Sequence, residues 1–403
     1  MNLLSSARIV LGVSGGVAAY KAAELASRLV QTGARVDVVL TAGAREFIRP
    51  LTFAAITQRP VHDDVFEAWT ESSFGHITLA KDADLVVVAP ASANTIAKLA
   101  LGLTDDMLGA VALATGAPLV VAPAMEHGMF HHPATQAHLA TLRARGATQI
   151  GPEAGRLASG ATGDGRLATT EAIIGAIRAV IGRNGPLAGR RIVVSGGGTH
   201  EPLDPVRFLG NRSSGTMGYA LAEAALAAGA TVTLVTGPTH LVPPFGAEVA
   251  AVTTAEEMLR AIDRATETAD ALIMAAAVAD FRPAGASEQK IKKQPGQTEL
   301  TLRLVRNPDI LASVNRPGLV KIGFAAETED LVGNARTKLA AKGLAMIVAN
   351  DAVATIGRDD SEATLLFPDG RCESLPLMTK ASLAAVIVAR IAPLLDARAR
   401  DAS

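Results

Sequence analysis

The fold is decided by Arg8-Ile9-Val10-Leu11-Gly12-Val13-Ser14-Gly15-Gly16-Val17, read on as far as Leu40. Arg8 to Val13 is a short apolar run of strand length. Ser14-Gly15-Gly16 is a turn, Val17 to Thr32 carries apolar residues at helical spacing, and Gly33 is a C-terminal stop. Arg35 to Leu40 reads as the next strand. Apolar residues at successive strand positions mean burial on both faces, which is the mark of a parallel sheet with helical crossovers. The alternation continues, with strands at Leu85 to Ala89 and Leu119 to Ala122 and helices at Thr95 to Leu101 and Thr135 to Arg145.

A helix over Glu171 to Ile181 runs into Gly182-Arg183-Asn184-Gly185-Pro186, a cluster of turn formers, and a fresh strand follows at Arg191 to Ser195. The domain boundary is expected there, giving domains 1–185 and 186–403. The second repeats the plan of the first. Ser195 to Thr199 is a Gly-rich turn, Met217 to Ala228 a helix and Thr231 to Thr236 a strand. Strands are expected at Leu272 to Ala276, Lys321 to Phe324 and Met346 to Ala349. Ala363 to Phe367 and Cys372 to Leu375 flank Pro368-Asp369-Gly370 as a hairpin, and a last helix covers Ser382 to Ala399. The fold class is α/β, with two doubly wound, mostly parallel sheets.

A chain of 403 residues is long enough for two or three domains with real cores. Cys372 is the only cysteine, so neither an intramolecular disulfide nor a cysteine-rich metal centre can form, and a reducing cytoplasm is the expected compartment. Lysine and arginine number 38 against 39 acidic residues, so no overall basic field draws the chain to nucleic acid or membranes. Hydrophobic residues make up 49% but lie in short Ala/Val/Leu runs, none of membrane-spanning length. Met1 to Val13 lacks the pattern of a secretory signal.

In the first half, backbone N–H groups of the Ser-Gly-Gly turn could approach a phosphate at a helix N-terminus; a tight turn chosen for packing explains it equally well. Thr41-Ala42-Gly43-Ala44, Ala89-Pro90-Ala91-Ser92-Ala93-Asn94 and Ala122-Pro123-Ala124-Met125 also follow strands, at the end where open parallel sheets bind ligands. His76 has a pKa range suited to a general base. His127, His131 and His132 crowd one segment, but their spacing matches no standard closed metal site, so a solvated loop is expected.

Gly12 to Lys21, Gly75-His76-Ile77 and Ala122-Pro123-Ala124-Met125 together resemble the flavin-dependent cysteine decarboxylases. The resemblance implies a flavodoxin-like domain with FMN at a trimer interface, contacted by Ser14, Gly15, Thr41, Ser92, Asn94 and Met125, and His76 as the active-site base. There are two departures. The family often has asparagine after Pro-Ala-Met, where this chain has Glu126, whose ionised form would repel a substrate carboxylate. The family also often has a proton-donating cysteine where Leu157-Ala158-Ser159-Gly160 carries Ser159, a far weaker acid. A neutral Glu126 is the expected replacement donor.

In the second half, Thr199-His200-Glu201-Pro202-Leu203-Asp204-Pro205-Val206-Arg207, Asn211-Arg212-Ser213-Ser214-Gly215, Ala277-Val278-Ala279-Asp280 and Lys290-Ile291-Lys292-Lys293 occur in order. Together they resemble the phosphopantothenate cysteine ligase half of the bifunctional coenzyme A enzymes. The resemblance implies a Rossmann-like, dimer-forming domain that activates the 4'-phosphopantothenate carboxylate with CTP as an acyl cytidylate, which the cysteine amine then captures. Asn211 would orient that intermediate, Lys290 would assist its conversion and contact CTP, and Asp280 would sit at the nucleotide and its Mg2+. Met274, Ala275, Ala276, Pro308, Asp309, Ile310, Leu311, Phe324 in Gly323 to Thr328, Lys338 and Lys342 would line the CTP site.

The expected function is ligation followed by decarboxylation to 4'-phosphopantetheine. Trimers of one domain and dimers of the other would build a homo-oligomer, a dodecamer. The alternatives are an active ligase with an impaired or altered decarboxylase, an FMN-binding regulatory subunit, and a nicotinamide dehydrogenase.

Overall fold

The computed structural model describes residues 3–66, 69–70, 73–292, 295, 298–327, 330–351 and 358–401. The chain divides into two compact units between Gly182 and Arg183, inside the turn-rich segment.

In the first unit a six-stranded sheet runs, in spatial order, Val61–His62, Arg35–Leu40, Arg8–Val13, Leu85–Ala91, Leu119–Pro123, Thr148–Gln149. Every pairing in it is parallel. Without the two-residue edge at Val61–His62, the order is 2-1-3-4-5, that of flavodoxin-like sheets. Val10, Val86, Val88 and Val121 pack against Ile96, Leu108 and Leu139 from the helices Ala93–Leu101, Met107–Ala114 and Pro133–Ala144. Between the first two strands the chain enters its helix through a 3-10 turn at Val17–Tyr20 before the regular stretch Lys21–Gln31. A two-stranded hairpin, Glu153–Arg156 with Thr162–Arg166, stands apart from the sheet.

The second unit has an eight-stranded sheet in the order Glu248–Ala251, Thr231–Thr236, Arg191–Gly196, Ala271–Met274, Val320–Glu327, Met346–Asp351, Asp360–Leu366, Cys372–Thr379. The first six strands are parallel in Rossmann order, and the last two form the antiparallel hairpin. Alternation sends Ile192 and Val194 to one face and Val193 to the other. The first face is covered by the helices Thr216–Ala227 and Lys380–Asp401, the second by Ala255–Ala265 and Leu331–Ala341. Leu383, Ile387 and Ile391 recur at four-residue spacing on the last helix, and each buried side chain contributes about 1.5–3 kcal/mol.

Gly218 allows the helix Thr216–Ala227 to start hard against the first strand of this unit. A Cβ there would lie 2.6 Å from Gly196 Cα and 2.7 Å from the Ser195 carbonyl oxygen. That close approach brings the helix N-terminus to the carboxyl end of the sheet, where open α/β sheets place ligands.

Candidate functional site

In the first unit, the loops at the carboxyl ends of the central strands are tied to one another. Ser14 is fully buried; its hydroxyl donates to the Pro90 carbonyl at 2.8 Å and accepts from the Ser92 amide at 2.7 Å. Gly15 lies so close to the neighbouring turn that a Cβ would come within 2.7 Å of the Gly43 carbonyl carbon. The Ala124 amide donates to the Ala91 carbonyl at 3.1 Å and joins the fourth loop to the third. Thr41 caps the turn Ala42–Arg45 through the Ala44 amide at 3.2 Å, and Ser92 caps Ala93–Leu101 through the Thr95 amide at 3.3 Å. Asn94 is exposed in the first turn of that helix, where free N–H groups favour an anion.

The hydroxyls of Ser14, Thr41 and Ser92 are thus engaged inside the protein, and their first task is to fix the backbone of the loops. What these loops offer a flavin phosphate is chiefly the amide N–H groups of Gly-rich turns and helix starts, and this donor set suits FMN. His76, in the helix Gly75–Asp82, has a buried Nδ1 with no hydrogen-bond partner among the described residues. An unsatisfied buried nitrogen costs stability unless another group completes it, so it too fits a site that a cofactor, substrate or second protomer closes.

Met125 donates its amide to the Gly165 carbonyl at 3.0 Å, so the fourth loop also meets the hairpin. Ser159 is exposed at the hairpin tip, its oxygen accepting only the Ala161 amide at 3.3 Å. Glu126 is half-buried at the start of the short helix His127–Phe130, and its carboxylate has no hydrogen bond or ion pair among the described residues.

In the second unit two adjoining cavities share Ala276, Val278 and Phe324. The smaller, about 240 Å³, is lined by Met274, Ala276, Asp280, Pro308, Asp309, Ile310, Leu311, Phe324 and Lys342, all expected CTP positions. The larger, about 550 Å³, is lined by Asn211 to Met217, Ala275 and Lys380 among others. Lys338 and Lys290 line neither. Lys293 and Thr328 lie outside the described residues. A groove of about 620 Å³ beside the edge strand Glu248–Ala251 contains none of the motif residues, so volume alone does not locate the chemistry.

Residues outside the expected set hold this site together. The Ser195 hydroxyl accepts the Ala276 amide at 3.0 Å, and Thr199 Oγ1 accepts the Ala279 amide at 3.0 Å, which zips the Gly-rich turn to the Met274–Asp280 segment. Asp204 has a fully buried carboxylate that accepts amides of Val206 (2.8 Å), Arg207 (2.9 Å) and Ile291 (3.1 Å). Burial opposes its ionisation, yet these three amides and the Arg207 guanidinium prevail and hold it below the usual carboxylate range. Asp204 thereby anchors the exposed Lys290-bearing loop. Lys321, buried in its strand, donates to the Leu311 and Val314 carbonyls at 3.2 Å each, fixing the segment that follows Pro308.

Lys342 Nζ lies 2.9 Å from one Asp309 oxygen and 3.1 Å from the other. Burial raises the Asp309 pKa, but Lys342 and the Ala312 amide outweigh it, so Asp309 also titrates below its ordinary value. Asp280, by contrast, has no hydrogen bond or ion pair to its carboxylate among the described residues, and an exposed unpaired carboxylate facing a nucleotide-sized cavity suits a hydrated Mg2+. Motif spacing revealed Asp280 but not Ser195 or Lys321, whose roles depend on partners 81 residues later and 10 residues earlier in the chain.

Two doubly wound sheets, one with interlocked Gly-rich loops at its carboxyl end and the other with a cavity there, define a two-domain α/β enzyme built for phosphate-bearing ligands. Residues 2–182 match the Flavoprotein family and residues 187–394 the DNA/pantothenate metabolism flavoprotein C-terminal domain. The chain is 45% identical over 404 residues to the coenzyme A biosynthesis bifunctional protein CoaBC of Vibrio parahaemolyticus, covering 98% of this chain and 100% of that one. It is 43% identical over 400 residues to the protein of the same description from Bacillus subtilis, covering 97% and 98%. A crystal structure of the C-terminal domain of such a protein matches at 38% identity with a TM-score of 0.46, covering 52% of this chain and 98% of that one. The chain belongs to the family of bifunctional coenzyme A biosynthesis enzymes.

Proposed function

We propose that residues 186–403 join 4'-phosphopantothenate to cysteine at the expense of CTP, and that residues 1–185 decarboxylate the product to 4'-phosphopantetheine with FMN. The observation that carries this reading is the convergence of nine nucleotide-motif residues on one cavity beside the Asn211 loop.

In the ligase half, the phosphopantothenate carboxylate attacks the α-phosphorus of CTP and displaces pyrophosphate. The cysteine amine then attacks the acyl carbon, expels CMP and forms the amide. Asn211 and the amides of its loop orient the acyl cytidylate, Asp280 holds Mg2+, and Lys342 and Arg306 offset charge at the phosphates. Lys290 assists the second step from a loop that Asp204 holds in place. Lys338, one helical turn before Lys342, adds positive potential at the same end of its helix.

In the flavin half, FMN held by the Ser14, Thr41 and Ser92 loops would supply the two-electron oxidation of the thiol-bearing carbon and the matching reduction once carbon dioxide has left. His76 handles the proton at the reacting thiol. Glu126, if neutral, donates the last proton. No cysteine lies in this half, and Ser159 is engaged only with its own turn. Trimers of the flavin half and dimers of the ligase half assemble into a cytoplasmic homo-oligomer, a dodecamer, that raises the local concentration of the shared intermediate.

One incubation with phosphopantothenate, cysteine, CTP and Mg2+, followed by product masses and carbon dioxide release, tests both halves. Joining with carbon dioxide release and a fully reduced product is expected. Joining alone would leave a ligase with an impaired flavin half, the second reading, which the unpaired Glu126 and the solvent-facing Ser159 favour. A Glu126→Gln enzyme is expected to release the unreduced enethiol; full reduction by that variant overturns the donor assignment.

A further inference from the structure

His127 and His131 stand four residues apart on one helical turn, so their rings project from the same face, with centroids 4.4 Å apart. The hairpin strand Thr162–Arg166 presents Asp164 to both of them. His131 Nε2 lies 3.1 Å from Asp164 Oδ2, and the Asp164 amide donates to His127 Nδ1 at 3.1 Å. One ring nitrogen from each histidine and a carboxylate oxygen of Asp164 all fall within 4.8 Å of one another.

We propose that His127, His131 and Asp164 form a binding site for a divalent transition-metal ion of the zinc type, with water completing the coordination. Two imidazoles and one carboxylate make a donor set that zinc accepts with an open fourth position, and imidazole ligands disfavour Mg2+. In a tetrahedral centre with bonds of about 2.0–2.1 Å, ligand atoms sit roughly 3.3 Å apart. Drawing the three atoms together therefore requires shifts of roughly 1.5 Å at most, which exposed side chains achieve by small rotations. His131 and Asp164 are respectively 48% and 44% exposed, so they retain that freedom.

The proton balance is simple. A neutral His131 carries its single ring proton on Nδ1 when the ion takes the Nε2 lone pair, and the Asp164 carboxylate, 3.1 Å away, binds as the anion. On the other side the ion takes the Nδ1 lone pair of His127, which gives up the hydrogen bond it now accepts from the Asp164 amide. Histidine spacing alone gives two ligands; the third arrives from a hairpin residue 33 positions beyond His131. A bound ion would staple the hairpin that carries Ser159 to the turn that follows Met125 and Glu126.

The test uses the full-length FMN-loaded protein, cleared of metal with chelator and titrated with Zn2+ by calorimetry above the histidine titration range. The expected result is one site per chain that is weakened at least tenfold in His131→Ala and in Asp164→Asn, because loss of a direct ligand exceeds the 10–100-fold cost of losing an outer partner. His132→Ala is the control, since that ring caps the next helix through the Ala134 amide at 3.2 Å and is outside the cluster; its Zn2+ affinity is expected to match wild type. Zn2+ should also slow amide hydrogen exchange over residues 153–166 in the wild type and not in Asp164→Asn. The proposal fails if the wild type takes up no Zn2+, if both ligand variants bind as the wild type does, or if His132→Ala loses as much as His131→Ala. Unchanged flavin absorbance in each variant shows that the fold has survived.

Discussion

The two halves use one topology to different ends. In both, the order of parallel strands reverses beside the first strand, and a Gly-rich turn leads from that strand toward a helix. The second half gathers nine of its expected nucleotide residues around one cavity and pairs Lys342 with Asp309 at its wall. The first half engages its loop hydroxyls in holding its own backbone and leaves His76 Nδ1 and the Glu126 carboxylate without partners among the described residues. Sheet order therefore chooses where a ligand binds. Whether one chain completes the site depends on the side chains at the rim.

The largest expected effect breaks that comparison directly. His76→Asn should lower carbon dioxide release by about 10²–10⁴-fold, the usual contribution of a positioned acid or base, while CTP-dependent joining proceeds at its normal rate. Equal loss of both reactions would show that the halves are not chemically separable.

A smaller effect comes from a residue that touches no expected ligand. Lys321→Met removes the donor to the Leu311 and Val314 carbonyls and should loosen the Pro308–Leu311 wall. KM for CTP should rise several-fold with kcat little changed, since the loss is of ground-state positioning. Steady-state kinetics with CTP varied would reveal it, and a fall in kcat at constant KM would contradict it.

Acid supplies a third test. The folded-state pKa of Asp309 is depressed, so the unfolded chain binds its proton more readily. Its stabilising contribution is complete above the unfolded carboxylate pKa of about 3.9 and is lost as pH falls through the lower folded value. Lys342→Met should move that loss to higher pH, and CTP affinity measured by titration calorimetry should decline earlier on acidification than in the wild type. The smallest change is expected at Thr254→Ala. This residue closes a capping box with Glu257 at the start of the helix Ala255–Ala265, and its loss should cost about 0.5–2 kcal/mol in chemical denaturation without altering either reaction.

Much of the scaffold was legible because a strand buried on both faces writes itself as a continuous apolar run. Arg8–Val13, Arg35–Leu40 and Thr231–Thr236 begin and end where their residues predict. Strands that end in polar residues extend further than hydrophobicity suggests: Asn350 and Asp351 stay in the ladder opposite Ala326 and Glu327. The helix Met107–Ala114 escaped because it is apolar on nearly every side and shows no amphipathic period. Ala255–Ala265 is marked in the sequence by its Thr254-x-x-Glu257 capping signature. Strands Phe281–Pro283 and Leu304–Arg306 pair across a long excursion, and nothing local announces such a partner. The same limit applies to the sites. Motif order brought Asp280, Pro308 and Lys342 to one cavity, whereas the meeting of Asp164 with His127 and His131 depends on where a hairpin folds back.

The grip of Asp204 on its neighbours has a consequence for redesign. It holds Val206, Arg207 and Ile291 chiefly by main-chain N–H groups, so the tether recognises the path of the chain more than the letters written on it. The exposed side chains beside Ile291 can be recoded to change local charge while the loop stays moored. Proline at position 291 is the exception, because it alone removes the hook.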